Sequence, residues 1–334
     1  MILLDALYIN NSGGKILLDY LVMKLQESNS DVYYLFDARV KDDYKAISAD
    51  RKLFLKASLI NRYKFYLSHK NSFHKVLCFG NLPPNIRLAA QVFTYFHQLL
   101  FLNIPDDLTL ANKIKYLMKI NILASLKGNS DYWFVQSHNV KSKLSSRFNI
   151  DYDNIIEMPF YPSLSQNGDV HKKDATYLYV SSGSKHKNHL RLIDAFCKFY
   201  DLHKVGELHL TVSDVFLALN DTINLKVLEG YPIVNHGFLD RTSLSRIYAK
   251  SKYVVYPSLI ESFGLGLIEG LENGCKILGA DLPYTYAVCE PSLVFDPMDV
   301  NSIVRVMEKT LSNEVPASFQ KVYNKIDELL LQLK

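Results

Sequence analysis

Two glutamates lie eight positions apart where a predicted strand runs into a predicted helix. Glu261 and Glu269 bound the segment ESFGLGLIE, which follows the apolar run KYVVYP. Carboxylates accept hydrogen bonds from sugar hydroxyls, and a helix N-terminus favours an anion such as phosphate. The alternative for either glutamate alone is that it balances the helix dipole. The segment as a whole suits a ligand that carries both hydroxyls and phosphates.

A basic loop follows another predicted strand upstream. The run VSSGSKHKN, residues 180–188, joins a predicted strand to a predicted helix and contains Lys185 and Lys187 among small residues. Backbone amides with lysines beside them can cradle a diphosphate. The alternative is an exposed basic loop, and the glutamate segment is what favours the functional interpretation.

The first predicted strand, residues 2–9, is followed by NNSGGK and a predicted helix at about 15–27. Gly13 and Gly14 would let the backbone approach an anion closely, and a tight turn that needs a positive φ is the alternative. The spacing G-x-G-x-x-G of dinucleotide-binding proteins is absent here.

Short apolar strands alternate with helical stretches in both halves of the chain, which predicts parallel sheets and two doubly wound α/β domains. We expect an N-terminal domain over 1–160 and a C-terminal domain over 176–312. The polar, breaker-rich stretch 161–175 is the predicted linker. Residues 313–334 are predicted to contain a helix that packs back toward the N-terminal domain.

Composition excludes several classes of protein. The chain has 334 residues, of which 48% are hydrophobic and 22% charged, so it is globular and not disordered. It has no apolar run of about 20 residues that would span a bilayer. The start MILLDALYIN has no basic region before its apolar run and is interpreted as a strand, not a signal peptide. Four widely spaced cysteines argue against a zinc site or a disulfide framework and suit the cytoplasm.

The positive charge is concentrated in two segments. Residues 51–75 contain seven Lys or Arg and residues 113–127 contain four Lys, and neither segment has a carboxylate. Apolar residues recur near helical spacing in the first segment. One interpretation is a solvated helix surface, and the other is a docking surface for an anionic membrane. No nucleic-acid-binding motif accompanies the charge, so nucleic acid is not expected as a partner.

The glutamate segment resembles the E-x7-E signature of retaining glycosyltransferases of family four, which have the GT-B fold. The segments SKHKNHLRLIDAF, HGFLDRTSLSRIYAKSKYVVYPS, EGLENGCKILGADLPY and VFDPMD resemble successive parts of that family. In the N-terminal half, the Gly13–Gly14 turn and YFHQ, which contains His97, also match. The resemblance covers roughly half of the chain and implies two Rossmann-like domains that face a central cleft.

The resemblance also implies roles for individual residues. Glu261 would hold hydroxyls of the donor sugar, Lys187 would neutralise the leaving diphosphate, and His97 would line the cleft near the transferred sugar. Glu269 would hold the ribose hydroxyls of the nucleotide. The implied substrate-binding residues are Gly13, Gly14, Ser182, Ser184, Lys185, Ser262, Phe263, Gly264, Leu265 and Glu269.

Two positions depart from the family pattern. The family commonly has an arginine where this chain has Ser182, and often a glutamate where it has Ala287. Lys185 can supply a charge in place of that arginine, but not the guanidinium fork. The resemblance implies that no metal is required. Asp151-Tyr152-Asp153, which formally matches the D-x-D of metal-dependent transferases, is interpreted as structural.

The leading hypothesis is a retaining, metal-independent glycosyltransferase that needs no cofactor beyond its nucleotide-sugar donor. UDP is the preferred nucleotide. The acceptor would be a glycan of a bacterial surface polysaccharide such as an O-antigen or capsule, carried on a polyprenyl diphosphate lipid. The enzyme would then be cytoplasmic and peripheral on the inner face of the cytoplasmic membrane. The alternatives are a transferase of the same fold with a soluble acceptor and a non-catalytic protein that binds sugar nucleotides.

Overall fold

The computed structural model describes residues 1–104, 109–164, 172–312 and 314–334. The chain divides into two compact units. The first comprises Met1–Pro162 together with Tyr323–Lys334, and the second comprises Ser163–Val322. Each unit is built on a parallel sheet with helical crossovers, so the predicted pair of Rossmann-like α/β domains is confirmed.

The first unit has a sheet of seven described strands in the order β3-β2-β1-β4-β5-β6-β7. Its strands are β1 Ile2–Ala6, β2 Val32–Asp37, β3 Lys52–Leu55, β4 Lys75–Cys78, β5 Gln91–Phe96, β6 Tyr132–Val135 and β7 Ile155–Glu157. Its crossover helices are α1 Ser12–Glu27, α2 Leu59–His69, α3 Leu110–Leu126 and α4 His138–Phe148. Within the described ranges, no helix combines the length and the apolar character needed to cross a bilayer.

The second unit has a sheet of six described strands in the order β10-β9-β8-β11-β12-β14. Its strands are β8 Lys173–Tyr179, β9 Glu207–Leu210, β10 Ile233–Asn235, β11 Ser251–Tyr256, β12 Lys276–Ala280 and β14 Leu293–Phe295, and a small antiparallel pair is formed by β13 Cys289–Glu290 and β15 Phe319–Gln320. Its helices are α5 His189–His203, α6 Leu217–Leu228, α7 Arg241–Lys250, α8 Leu265–Glu272, α9 Pro283–Val288 and α10 Val300–Lys309, and α11 Ile326–Leu333 follows in the first unit.

The boundaries differ from the expected ones in the linker region. The second unit begins at Ser163, and β8 begins at Lys173, inside the predicted linker 161–175. The backbone N–H of Leu164 donates to the Glu272 carboxylate at 2.9 Å, and Lys172 donates to three carbonyls of the second unit. Lys172, one of the polar residues that suggested a linker, thus satisfies backbone carbonyls of the second unit. Residues 165–171 lie outside the described residues.

The last segment is also divided. The predicted span 313–334 contains β15 and then α11, and only Tyr323–Lys334 clusters with the first unit. The Asn324 side chain donates to the Tyr161 carbonyl at 2.8 Å and to the Tyr20 hydroxyl at 3.0 Å. Asn313 lies outside the described residues.

Strand β1 ends at Ala6, three residues before the predicted end. Asp5, which is 1% exposed, accepts a hydrogen bond from the Leu7 amide at 3.1 Å, and Tyr8 then adopts a left-handed φ of 83°. The apolar run therefore continues beyond the strand, because the chain turns while its side chains remain buried. Hydrophobicity alone does not mark that turn.

A buried ion pair fixes this end of β1 to α2. The Arg62 guanidinium, 1% exposed, donates to Asp5 Oδ2 at 2.7 Å and to the carbonyls of Leu82 and Pro83 at 2.8 and 2.5 Å. The Tyr66 hydroxyl donates to the same Asp5 oxygen at 2.5 Å. Since each charged group has several partners, the network can remain ionised out of contact with water.

We predict that Arg62→Leu lowers the free energy of unfolding of the first unit by about 3–5 kcal/mol, because Asp5 is left as an unpaired buried charge. Trp133, the one tryptophan of the sequence, is 1% exposed in this unit, so its fluorescence in a urea titration reports on the first unit.

The control is Arg51→Leu, which removes an exposed pair with Asp31 and should cost less than about 1 kcal/mol. Equal decreases in the free energy of unfolding for both variants would contradict a special role for the buried Asp5–Arg62 pair.

Candidate active site

Two loops at the carboxyl edge of the second sheet are bound to each other. They follow the neighbouring strands β8 and β11. The Leu259 amide donates to the His186 carbonyl at 2.8 Å, and the Asn188 side chain donates to the Pro257 carbonyl at 3.1 Å. Asn188 adopts a left-handed φ of 63°, and its own side chain is buried. The basic loop and the glutamate segment are therefore one structural feature.

Lys187 and Glu261 meet at this junction. Lys187 Nζ lies 2.5 Å from Glu261 Oε1, and only 17% and 9% of the two side chains are exposed. The Tyr256 hydroxyl donates to the same oxygen at 3.0 Å. The Tyr179 hydroxyl donates to the Lys187 carbonyl at 2.8 Å, which fixes the backbone of the lysine. Strand residues thus position both members of the pair.

Glu269 lies one turn into α8 and is almost completely buried, with 3% of its surface exposed. Arg241 Nη1 donates to its Oε1 at 3.0 Å, and the Tyr248 hydroxyl donates to its Oε2 at 3.1 Å. Burial raises the pKa of Glu269, while the Arg241 guanidinium and the Tyr248 hydroxyl act in the opposite direction. The carboxylate is held in place by a cation and a phenol, and its ionisation depends on both.

Two glycines at the start of α8 let the helix approach Tyr256 and Tyr248, the tyrosines that bind Glu261 and Glu269. Gly264 caps the helix with a φ of 78°, a conformation that side chains other than glycine rarely adopt. A Cβ at Gly266 would lie 3.0 Å from the Tyr256 ring and 3.3 Å from the Tyr248 hydroxyl. Gly266 therefore lets one helix N-terminus contact the tyrosines that bind both glutamates.

The remaining predicted residues of the second unit surround this junction. The side chains of Ser182 and Ser184 are 3.2 Å apart, and Ser182 and Lys185 are exposed. Ser262 and Leu265 are partly exposed beside Gly264, while Phe263 is 4% exposed and packs inward. Phe263 can therefore offer its backbone, and not its ring, to a ligand.

His97 and the glycines form a separate group in the first unit. Gly13 and Gly14 lie in the first turn of α1 without a positive φ, so the alternative interpretation as a tight turn that needs a positive φ was wrong. A Cβ at Gly14 would lie 3.7 Å from His97 Cε1. His97 Nδ1 is buried without a hydrogen-bond partner among the described residues, and burial lowers the pKa of His97 to about 4. The imidazole is thus neutral near pH 7.

Asp151 is explained by local structure. Its carboxylate accepts a hydrogen bond from the Asp153 amide at 3.1 Å and caps the turn before β7. This is the ordinary role of Asp at the start of a turn. The D-x-D spacing here belongs to that cap.

Sequence reasoning missed Arg241, Tyr248 and Tyr256 as partners of the glutamates. Arg241 is far from Glu269 in sequence and follows Asp240, whose carboxylate caps α7. Tyr248 lies within α7 and Tyr256 ends β11, and no role was predicted for either tyrosine from the sequence. An arginine directly after a helix cap, at the same sheet edge as a buried carboxylate, was the available signal.

The two doubly wound units have the GT-B architecture of glycosyltransferases. Residues 162–328, half of the chain, match the family model described as glycosyl transferases group 1. The chain belongs to this family.

Comparison with individual proteins agrees with this assignment. The chain is 35% identical over 96 residues to the serotype-specific mannosyltransferase WbdA of Escherichia coli, a match that covers 27% of this chain and 12% of WbdA. The sucrose-phosphate synthase tll1590 of Thermosynechococcus elongatus has a similar fold, with a TM-score of 0.73 and 16% identity over 93% of this chain and 89% of that one. Anabaena HepE, solved in complex with UDP and glucose, gives a TM-score of 0.66 and 11% identity over the same shares of the chains.

If Glu269 holds the ribose hydroxyls, as the resemblance implies, we predict that Arg241→Met makes nucleotide binding more sensitive to acid. The guanidinium opposes the rise in the pKa of Glu269, so its loss raises that pKa further. The ionised carboxylate is the better acceptor for hydroxyls, and it is lost as the pH falls through the pKa. The acid-side loss of UDP affinity should therefore begin at a higher pH in the variant, as measured by calorimetry across a pH series.

Arg246→Met on the same helix is the control, because Arg246 is exposed and makes no contact with Glu269 in the described structure. UDP also ionises in this pH range, but its ionisation affects the unchanged chain, Arg241→Met and Arg246→Met equally, so it does not contribute to a difference between them. A parallel, uniform weakening at every pH would show that Arg241 acts without affecting the titration of Glu269.

Proposed function

We propose that this chain is a retaining glycosyltransferase that moves a sugar from a nucleoside diphosphate to a hydroxyl of a glycan acceptor. The observation that carries the proposal is the contact of Lys187 with Glu261 beside the N-terminus of α8. A cation, a carboxylate and uncapped helix amides at one sheet edge provide for the two parts of a nucleotide sugar, its diphosphate and its hydroxyls.

The diphosphate gains negative charge as the glycosidic bond breaks. We assign the stabilisation of that charge to Lys187, Lys185 and the backbone amides from Ser262 to Leu265, and not to a metal ion. Lys187 has three N–H donors, of which the Glu261 contact uses one. The others are available to a phosphate at the same place. No cofactor beyond the nucleotide sugar is required.

Retention at the anomeric carbon is proposed to proceed by attack from the face that the diphosphate leaves, with the leaving phosphate taking the acceptor proton. A double displacement needs a carboxylate nucleophile at the anomeric carbon. Glu261 is engaged by Lys187 and Tyr256, and Glu269 by Arg241 and Tyr248, which disfavours either as that nucleophile. Neutral His97 can exchange a hydrogen bond with a sugar hydroxyl without adding charge.

We propose UDP as the nucleotide and a bacterial surface glycan as the acceptor. HepE, which shares the fold, was solved with UDP and glucose, and WbdA, the relative with 35% identity, is a serotype-specific mannosyltransferase. We further propose that the glycan is carried on a polyprenyl diphosphate and that the enzyme acts at the cytoplasmic face of the membrane. The four free, buried cysteines suit that reducing compartment.

The test is release of nucleoside diphosphate from a panel of UDP- and GDP-sugars, with and without lipid-linked acceptor. One donor should be consumed, and Lys187→Ala should lower kcat by roughly a hundredfold or more with a smaller change in KM, because the charge it meets grows in the transition state.

Lys198→Ala is the control, since Lys198 is exposed on the following helix and lies outside the proposed site. Absence of any turnover together with absence of nucleotide binding would contradict the proposed function. Near-normal turnover of Lys187→Ala would remove Lys187 from the mechanism.

A further inference from the structure

Two helices of the first unit cover the same face of its sheet. Phe65 and Tyr66 of α2 pack in one cluster with Val92 of β5. Ile120 and Leu123 of α3 pack in a second cluster with Phe96 of the same strand. Val92 and Phe96 are four residues apart in one strand, so their side chains point to the same face. Both helices therefore lie on the same face of the sheet, and their solvent-exposed sides point away from that face.

Both outer surfaces carry an exposed apolar stripe. On α3 the positions 110, 114, 117 and 118 lie on one side of the helix, and on α2 the positions 60, 63 and 67 do. The exposed fractions are Leu110 74%, Ile114 50%, Leu117 47%, Met118 60%, Ile60 67%, Tyr63 43% and Leu67 48%. Single exposed apolar residues are common on proteins, but an apolar stripe on each of two helices over the same face of the sheet is of the kind that marks an interaction site.

The charge on this side is of one sign. Val140 and Leu144 of α4 pack in the cluster of α3, so α4 covers the same face. None of α2, α3 and α4 contains Asp or Glu, and together they carry eight Lys or Arg. By contrast, α1 and α11 contact each other and contain carboxylates, and the right-handed crossover from β1 to β2 places α1 on the opposite face.

The lysines beside the stripes have no ion-pair partner among the described residues. Lys64, Lys115 and Lys119 are exposed, Lys113 is partly exposed, and the described residues include no ion-pair partner for any of the four. On α1, Lys15 and Lys24 do pair with carboxylates. The nearest acidic residues before α3, at 106 and 107, lie outside the described residues.

Not all of the basic residues in the segment 51–75 contribute to an exposed, unpaired basic surface. Arg62 points inward to Asp5, Arg51 pairs with Asp31, and the ammonium groups of Lys52 and Lys75 donate to backbone carbonyls. Of the three basic residues that remain in this segment, Lys64 is exposed on α2, while the exposed Lys56 and Lys70 lie just before and just after that helix.

We propose that the outer surface of α2, α3 and α4 is a docking surface for an anionic lipid bilayer, with the α3 stripe entering the headgroup region and the lysines contacting lipid phosphates. Aligned apolar residues flanked by unpaired lysines are the pattern of helices that lie in a membrane interface. The proposal deepens the proposed function, because a lipid-linked acceptor presents its glycan at such a surface.

The test is flotation of the purified full chain with vesicles of phosphatidylcholine alone or with phosphatidylglycerol added, in the absence of donor and acceptor. The chain should float with the anionic vesicles and less at high salt. Replacing Lys113, Lys115 and Lys119 by Gln should lower the partition coefficient on the order of a hundredfold, at roughly fivefold per lysine.

A second variant, Ile114→Gln with Leu117→Gln, should also reduce binding, and the loss should remain at low salt because it removes apolar contact. The matched control is Leu225→Gln with Leu228→Gln on α6 of the second unit, where these leucines are 55% and 85% exposed. It should float like the unchanged chain. Trp133 lies in the cluster beneath α3, so its fluorescence verifies that the variants are folded.

Three outcomes would overturn the docking proposal: no flotation even at low salt, equal flotation of all variants, or a stripe variant that dissociates a dimer in sedimentation while flotation is unchanged. The last would make the stripe a contact between copies of the chain. Flotation without turnover of any donor would instead count against the proposed function alone.

Discussion

Lys187 and Glu261 form a largely buried ion pair where the loops after two adjacent parallel strands meet. The contact needs a lysine backbone fixed by Tyr179, an Asn188 in a left-handed conformation and a helix that begins at Leu265, shortly after Glu261. Because the pair is poorly solvated, each charge depends on the other or on a ligand. In the proposed function, a diphosphate bound at Lys187 would replace part of what Glu261 supplies and would leave that carboxylate available for sugar hydroxyls.

Glu269 is also a buried carboxylate that needs partners for its charge, but its partners come from a different element than those of Glu261. It is more deeply buried than Glu261, and its partners Arg241 and Tyr248 come from a neighbouring helix. Gly266 connects the two arrangements, since its missing side chain lets α8 approach both Tyr256 and Tyr248. The two carboxylates thus share one helix but have independent sources of positive charge. In the proposed function, this independence would allow the two carboxylates to bind different parts of one ligand.

The alternation of apolar strands and helices was enough to predict two parallel α/β units, because buried parallel strands are continuous apolar runs. Strand ends were predicted less well, as with β1, where Asp5 and Tyr8 turn the chain while apolar burial continues. Strand β3 was missed because Lys52 and the flanking Arg51 and Lys56 placed it inside a segment that was interpreted by its charge. The glutamates and Lys187 were predicted from spacing and resemblance, whereas Arg241 depends on packing between distant segments that periodicity does not reveal. The roles assigned to these residues remain predictions.

The most direct test of the account is a titration of Glu261→Gln and Glu269→Gln with the bare nucleoside diphosphate and with the intact nucleotide sugar. Glu269→Gln should weaken binding of the bare nucleotide by roughly 1.5–3 kcal/mol, the value of a charge-assisted hydrogen bond. Glu261→Gln should keep or slightly improve bare nucleotide binding, because Lys187 loses a competing carboxylate, and it should lower turnover of the sugar donor. If Glu261→Gln weakens bare nucleotide binding and Glu269→Gln does not, the roles of the two glutamates are the reverse of those proposed. No change in either variant would contradict the assignment of this site.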